Sequence, residues 1–199
     1  MTAGPTPALP TVRVVWRSGP ADRAADREAL RALVAEVTGI PSVAVERRCA
    51  HCGATDHGQP VVIGAGRAVR ASLARAPGVL ALAVSTSGPI GVDVERVGRV
   101  RAAALDAFAA PELRAIAGHP DPDLLRTVLW AGKEAVLKVD GRGLRVDPRS
   151  VPLRWVGEEL VPVESPGVVS VDRVVGQVVV PAAVRVVVED DLVLVVAGG

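Results

Sequence analysis

The chain has 199 residues, 49% of them hydrophobic, and a formal net charge of +1. This is enough apolar side chain for a packed core, and the near-neutral charge argues against a nucleic-acid-binding protein, which needs a clear basic excess. Two cysteines are too few for a disulfide framework. Glu189, Asp190 and Asp191 interrupt the Val-rich C-terminal stretch, so it contains no run of about twenty apolar residues that could span a membrane.

The first half of the chain predicts one helix among short strands. Residues 1–16 lack the charged and apolar regions of a signal peptide, so we expect a cytoplasmic protein. Residues 12–16 predict a strand, and residues 21–37 predict a helix whose apolar side chains share one face. Residues 43–46 predict a further strand, and a loop rich in Cys, His and Gly follows as far as Pro60. Two apolar strands, 79–84 and 90–95, are joined by a turn-rich segment.

The longest predicted helix begins at Asp121, a good N-cap, with Pro122 in the first helical position, and ends at Asp140 and Gly141. Short Val-rich runs then predict an antiparallel sheet that ends in a hairpin of residues 184–188 and 192–196. The order strand, helix, strands therefore occurs twice. The sequence predicts an α+β fold of two similar halves, 1–86 and 87–199, related by a pseudo-twofold axis, each a helix packed on a small, mostly antiparallel sheet.

Two acidic residues stand out in the segment Gly91-Val92-Asp93-Val94-Glu95. Alternate residues of a strand point to the same face about 6.5–7 Å apart, so Asp93 and Glu95 would project together. Like charges this close are costly unless they are solvated, protonated or bridged by a cation. Oxygen ligands favour Mg²⁺ over Zn²⁺, although an exposed strand end remains an alternative.

The only two lysines, beside 21 arginines, lie close together at Lys133 and Lys138. Trp130, Glu134 and Lys138 share one helical face, and such a Glu–Lys pair is usually a modest surface salt bridge. The lysine clustering and the mid-helix Gly132 favour a functional site, because a compact ammonium suits a tight phosphate or carboxylate site. We expect the gap at Gly132 to admit another backbone or a ligand.

These two segments, followed by the Gly-x-Gly-Leu sequence at 141–144, resemble the paired signatures of the 4′-phosphopantetheinyl transferase superfamily. Its members carry a Gly-hydrophobic-Asp-hydrophobic-Glu strand and a Trp-x-x-Lys-Glu-x-x-x-Lys helix. Residues 108–112 resemble its Phe-x-x-x-Glu region, residues 49–60 its Gly-Lys-Pro loop, and residues 72–75 its Ser-hydrophobic-Ser-His segment. The resemblance covers roughly residues 12–150, and the chain length is typical of the two-halved, surfactin-synthetase-activating branch.

The resemblance implies transfer of 4′-phosphopantetheine from coenzyme A to a serine of an acyl or peptidyl carrier protein, with release of 3′,5′-ADP. It implies fatty acid, polyketide or secondary metabolism, and a two-halved chain that acts as a monomer. The implied residues are a Mg²⁺ site at Asp93, Glu95 and Glu134, catalytic Glu134, Lys138 and Glu112, and coenzyme A contacts at Arg27, Arg75, Lys133 and Lys138.

Within these roles, Glu134 deprotonates the serine and Lys138 stabilises the pyrophosphate charge. Lys133 either contacts the nucleotide phosphates or supports the site, and Glu112 assists from further away. The chain departs from the family pattern at two positions: Arg75 replaces a phosphate-contacting histidine, and Gln59 replaces the lysine of Gly-Lys-Pro.

Several alternatives stay open at this point. A metal-dependent phosphohydrolase or nuclease would also cluster carboxylates with a lysine, and a weakened relative could bind coenzyme A without catalysis. The loop that contains Cys49, His51, Cys52 and His57 could hold zinc. A redox pair and two plain reduced thiols are the other readings, of which the reduced thiols are favoured.

Overall fold

The computed structural model describes residues 10–16, 22–163, 174–175, 178–179 and 183–198. Its helices are α1 Arg23–Thr38, α2 Val97–Ala102, α3 Ala110–Gly118 and α4 Pro122–Asp140, with 3-10 turns at Gly143–Arg145 and Pro148–Ser150. Its first six strands are β1 Thr11–Trp16, β2 Ala44–Arg48, β3 Gln59–Ile63, β4 Arg70–Ala76, β5 Val79–Ser85 and β6 Ile90–Arg96. The remaining strands are β7 Leu153–Val156, β8 Glu159–Pro162, β9 Val174–Val175, β10 Val178–Val179, β11 Val184–Glu189 and β12 Leu192–Gly198.

These strands form two main sheets and two small ribbons, all with antiparallel pairing. The first sheet has the order β1-β5-β4 and the second has the order β6-β12-β11-β8-β7. The ribbons are β2-β3 and β9-β10. Helices pack on antiparallel sheets, which confirms the predicted α+β class; the pseudo-twofold relation and the division at residue 86 stay predictions.

Helix α1 covers the first sheet. The side chain of Asp22 caps it by accepting from the backbone N–H of Ala24 at 2.8 Å and of Ala25 at 3.2 Å. Leu30, Leu33 and Val34 are fully buried, as their spacing on one helical face predicts. The predicted first residue, 21, lies outside the described residues.

Helix α4 covers the second sheet, and both of its ends agree with the prediction. Asp121 accepts from the Leu124 N–H at 2.9 Å, and Gly141, in the left-handed conformation, donates to the Leu137 carbonyl at 3.0 Å. The helix packs so closely on β6 that a side chain at Gly91 would collide with the carbonyl oxygen of Ala135. This contact places Asp93 beside the end of α4 that carries Glu134.

The expectation that Gly132 admits another backbone or a ligand is wrong. The side chains of Leu160 and Leu153, from β8 and β7, occupy the space where a Cβ would lie. Gly132 therefore permits close packing of α4 on the second sheet and belongs to the core.

The two sheets meet where β4 of the first lies against β6 of the second. The Ser72 hydroxyl on β4 accepts a hydrogen bond from the backbone N–H of Val92 on β6 at 3.1 Å. The predicted C-terminal hairpin is confirmed as β11 and β12, paired from Val184 with Ala197 to Glu189 with Leu192. Part of the Val-rich region, residues 164–173, lies outside the described residues. Among the helices described, none is sufficiently long and apolar to cross a bilayer.

Candidate active site

Strand β6 and helix α4 bring Asp93 and Lys138 into contact. The Lys138 ammonium donates to Asp93 Oδ1 at 2.7 Å and to the Val92 carbonyl at 2.9 Å. Glu134 precedes Lys138 by one helical turn, so it lies on the same face of α4. A charged cluster thus forms where the strand crosses the helix.

One oxygen of this cluster lacks a partner. Asp93 is only 5% exposed, and its Oδ2 has no hydrogen-bond partner among the described residues. A buried polar atom without a partner costs about 1–3 kcal/mol, and a charged one costs more. The arrangement is therefore incomplete without a further positive or hydrogen-bonding group.

Burial raises the pKa of all three carboxylates, and the charge of Asp93 adds to the shift of Glu95 and Glu134. Burial raises the pKa of Asp93, an effect opposed by the Lys138 ammonium. Burial, and next the charge of Asp93, raise the pKa of Glu95 to about 7, although the Trp130 indole N–H, 3.3 Å from Glu95 Oε1, opposes the shift. Burial and the Asp93 charge also raise the pKa of Glu134. A cation among them would remove this repulsion.

These residues fit a hard divalent cation. The donors are all carboxylate oxygens, which Mg²⁺ prefers, and one is the unpartnered Asp93 Oδ2. The three carboxylates do not form a set whose donor atoms all lie within 4.8 Å of one another. Glu95 and Glu134 are only partly buried, so their side chains have room to turn toward Asp93.

A pocket of about 280 Å³ opens beside Glu134 and Lys138. Residues from both halves of the chain line it, including Ser72 and Gln59 from the first and Arg142 from the second. The Gln59 amide also donates to the Lys138 carbonyl, so β3 is tied to the end of α4. Gln59 thus supplies a structural contact at the position where the resembling family has a lysine.

Four arginines surround an adjoining pocket that shares Pro60 and Leu73 with the first one. They are Arg23, Arg27, Arg47 and Arg75. Burial, followed by the charges of the other three, lowers the pKa of Arg47. Glu46 and Asp56 also line this pocket, so four cationic and two anionic side chains leave an excess of positive charge that is suited to an anion.

Two of these arginines, Arg27 and Arg75, were predicted from the sequence. Arg75 on β4 also donates to the buried Asp26 of α1. Arg23 and Arg47 were not predicted, because nothing in the sequence distinguishes them from the other arginines of the chain.

Lys133 and Glu112 lie elsewhere, in the core of the second half. Both side chains are 0% exposed, and Lys133 Nζ lies 2.9 Å from Glu112 Oε1. The ammonium also donates to the carbonyls of Pro148 at 2.8 Å and Val151 at 2.7 Å, which uses all three of its N–H groups. Glu112 accepts from the Leu153 N–H at 2.9 Å.

This placement corrects two predicted roles. Lys133 does not reach the pocket, so its assignment to coenzyme A binding gives way to a supporting role. Glu112 is likewise too deeply buried for catalysis, and with Lys133 it fixes the loops that follow α4.

A comparison with protein families agrees with this geometry. Residues 89–160, just over a third of the chain, match the model of the 4′-phosphopantetheinyl transferase superfamily. The matched segment contains β6 and α4, and therefore Asp93, Glu95, Glu134 and Lys138. No protein of curated function matches the chain.

Proposed function

We propose, from the premise that this chain belongs to the 4′-phosphopantetheinyl transferase superfamily, that it modifies an acyl or peptidyl carrier protein in a Mg²⁺-dependent reaction. The family supports phosphopantetheinyl transfer in general. The observation that carries the specific proposal is the buried Asp93, with one unpartnered oxygen, beside a pocket lined by Glu134 and Lys138.

Asp93, Glu95 and Glu134 would hold the Mg²⁺ ion. When bound, Mg²⁺ supplies positive charge that offsets the charge of the pyrophosphate and of the leaving group. The chain's own contribution is to hold three carboxylates where burial makes their uncompensated charge costly.

The pocket residues supply the remaining proton transfer and charge stabilisation. Glu134 accepts the proton of the carrier serine, whose oxygen bonds to the β-phosphorus of coenzyme A while the bond from that phosphorus to the 3′,5′-ADP oxygen breaks. Lys138, held by Asp93 and the Val92 carbonyl, presents its ammonium to the pyrophosphate. The four-arginine pocket, which adjoins the first, would take the nucleotide 3′-phosphate.

The proposed enzyme acts as a cytoplasmic monomer. In support, residues of both halves of one chain line the pocket, so a second copy is not needed to complete it.

Mass spectrometry of a panel of apo acyl and peptidyl carrier proteins tests the proposal. After incubation with coenzyme A and Mg²⁺, we expect a mass gain of one phosphopantetheine group and release of equimolar 3′,5′-ADP. Glu134→Gln should lose this activity, whereas Glu36→Gln, at an exposed ion pair with Arg13, should keep it. Cleavage of coenzyme A without a carrier would instead support a phosphohydrolase, and binding without 3′,5′-ADP release a non-catalytic relative.

A further inference from the structure

The loop between β2 and β3 gathers two sulfurs and an imidazole. The ligand atoms of Cys49, Cys52 and His57 all lie within 4.8 Å of one another. Both cysteines are free thiols; Cys49 is buried and Cys52 is exposed. Of the ligating groups in the described part of the chain, this is the set of three that comes together so closely.

The backbone of the loop is folded around Cys49. The N–H of Cys49 donates to the Ala54 carbonyl at 2.8 Å, and the N–H of Gly53 donates to the Cys49 carbonyl at 2.9 Å. Gly53 has a φ of 73°, a conformation that favours glycine directly after the second cysteine. This turn brings the sulfurs of Cys49 and Cys52 within 4.8 Å of each other.

His57 is oriented as a metal-binding histidine is. Its Nδ1 lies 2.6 Å from Asp56 Oδ1, and its Nε2 lies 3.4 Å from the Cys52 sulfur. In metal sites, a carboxylate commonly accepts from one ring nitrogen and so directs the other to the metal. Asp56 has that position here.

We propose that Cys49, Cys52 and His57 bind a zinc ion, with water in the fourth position. Two sulfurs and one imidazole nitrogen are donors that zinc prefers, and they suit its tetrahedral geometry. His51 is not part of the convergent set, and Asp56 is engaged with His57. Binding releases the two thiol protons and leaves the cysteines as thiolates.

The proposed zinc-binding loop, residues 49–58, forms one wall of the pocket that Glu134 and Lys138 line. Cys49, His57 and Gly58 line this pocket, and the Arg145 guanidinium, from the turn after α4, lies 3.8 Å from the Cys49 sulfur. The carbonyl of Gly58 accepts from Arg47 at 2.8 Å. Loss of zinc should therefore raise the KM for coenzyme A and leave kcat nearly unchanged, an effect that rests on the proposed function.

The zinc content of the purified full chain tests the site without reference to activity. With the protein prepared under reducing conditions and supplied with zinc, we expect one zinc ion per chain by elemental mass spectrometry. Replacement by Co²⁺ should give sulfur-to-cobalt charge-transfer absorption in the near ultraviolet and strong tetrahedral visible bands. Cys52→Ser and His57→Ala, both at exposed positions, should each reduce the zinc content by at least about tenfold.

The matched control is His51→Ala, in the same loop, which should keep its zinc. Zinc content in the wild type no higher than in Cys52→Ser, or a Cys49–Cys52 disulfide in the protein as purified, would overturn the site. Loss of zinc in His51→Ala would overturn the assignment of the fourth position to water. A zinc-loaded protein that fails to modify any carrier would overturn the proposed function and leave the zinc site standing.

Discussion

Two lysines on the same helix occupy opposite kinds of surroundings. Lys133 is fully buried, and Glu112 and two backbone carbonyls accept its three N–H groups. Lys138 is 26% exposed at the edge of a pocket, where it pairs with Asp93. Five residues of α-helix separate them by about 140° around the axis, so one faces the core and the other faces the first half of the chain.

The difference between these regions is whether the polar groups are satisfied. The Lys133–Glu112 network balances its charges and joins α3, α4 and the loop that leads to β7. The Asp93–Lys138 region retains an unpartnered carboxylate oxygen and three carboxylates whose pKa values are raised. A satisfied buried network stabilises a fold, whereas an unsatisfied one beside a pocket indicates a site for a ligand.

The largest effect should come from breaking the satisfied network. Lys133→Ala leaves the Glu112 carboxylate buried without its cation, so the free energy of unfolding should fall by about 3–5 kcal/mol. Urea denaturation followed by circular dichroism measures this. The matched variant Lys138→Ala should lose less stability, because water can enter the space left by the 26% exposed Lys138 side chain and hydrate Asp93. Equal losses would remove the contrast between the two lysines.

Removal of a proposed metal ligand should lower activity strongly and leave stability nearly unchanged. Glu134→Ala should lower kcat/KM for carrier modification by about 100- to 1000-fold, because the loss of metal-derived stabilisation costs several kcal/mol. Asp93→Asn should have a similar effect. Thermal stability should stay near that of the wild type, since burial and repulsion already penalise these charges. Substantial activity in either variant at saturating Mg²⁺ would remove that residue from the metal site.

A smaller loss is expected at Lys138. Without its ammonium, the pyrophosphate loses a charge-assisted hydrogen bond, which is worth about 1.5–3 kcal/mol, so Lys138→Ala should lower kcat/KM by roughly ten- to a hundredfold. Lys138→Arg should restore little, because the planar guanidinium cannot lie between Asp93 and the Val92 carbonyl as the ammonium does. A fully active Lys138→Arg variant would show that charge alone suffices.

Arg75 should have a more modest effect because it shares its pocket with three other arginines. The wild type should prefer coenzyme A to dephospho-coenzyme A, and Arg75→Ala should reduce that preference by about tenfold. The ratio of kcat/KM for the two donors corrects for any general loss of folding caused by leaving Asp26 without this partner. An unchanged ratio in Arg75→Ala, with a reduced one in Arg47→Ala, would transfer the 3′-phosphate contact to Arg47.

The smallest effect is a pH dependence of stabilisation by Mg²⁺. The folded-state pKa of Glu95, about 7, exceeds its ordinary value of 4.5, so this group favours the folded state most below pH 4.5 and loses that contribution as the pH rises to 7. Binding of Mg²⁺ needs the ionised form of the Glu95 carboxyl group. The rise in melting temperature caused by Mg²⁺ should therefore be small at pH 5 and reach its full size above pH 7. Glu95→Gln should weaken this dependence, and a rise that is equal at both pH values would contradict the assignment.

The sequence by itself determined the elements that have strong local signals. The ends of α4 were predicted because Asp121, Pro122 and Gly141 act on the backbone next to them. Strand β6 and the β11–β12 hairpin were predicted because their apolar residues are rich in Val and bounded by turns. Strand β4 was missed, since its Arg, Ala and Ser residues have little intrinsic strand preference and its burial comes from β5 and β6. The short α2 and α3 also went unrecognised.

The residues of the candidate site also separate into those that the sequence predicted and those that only the tertiary structure brought together. Strand and helix periodicity placed Asp93 with Glu95, and Glu134 with Lys138, because these pairs are close in sequence. Only the tertiary structure decided that Lys133 is buried against Glu112, that Arg23 and Arg47 join Arg27 and Arg75, and that the ligand atoms of Cys49, Cys52 and His57 converge. Each of these depends on how a loop or a neighbouring element folds back. Local spacing fixes the direction of a side chain within one element, but not which partner it meets there.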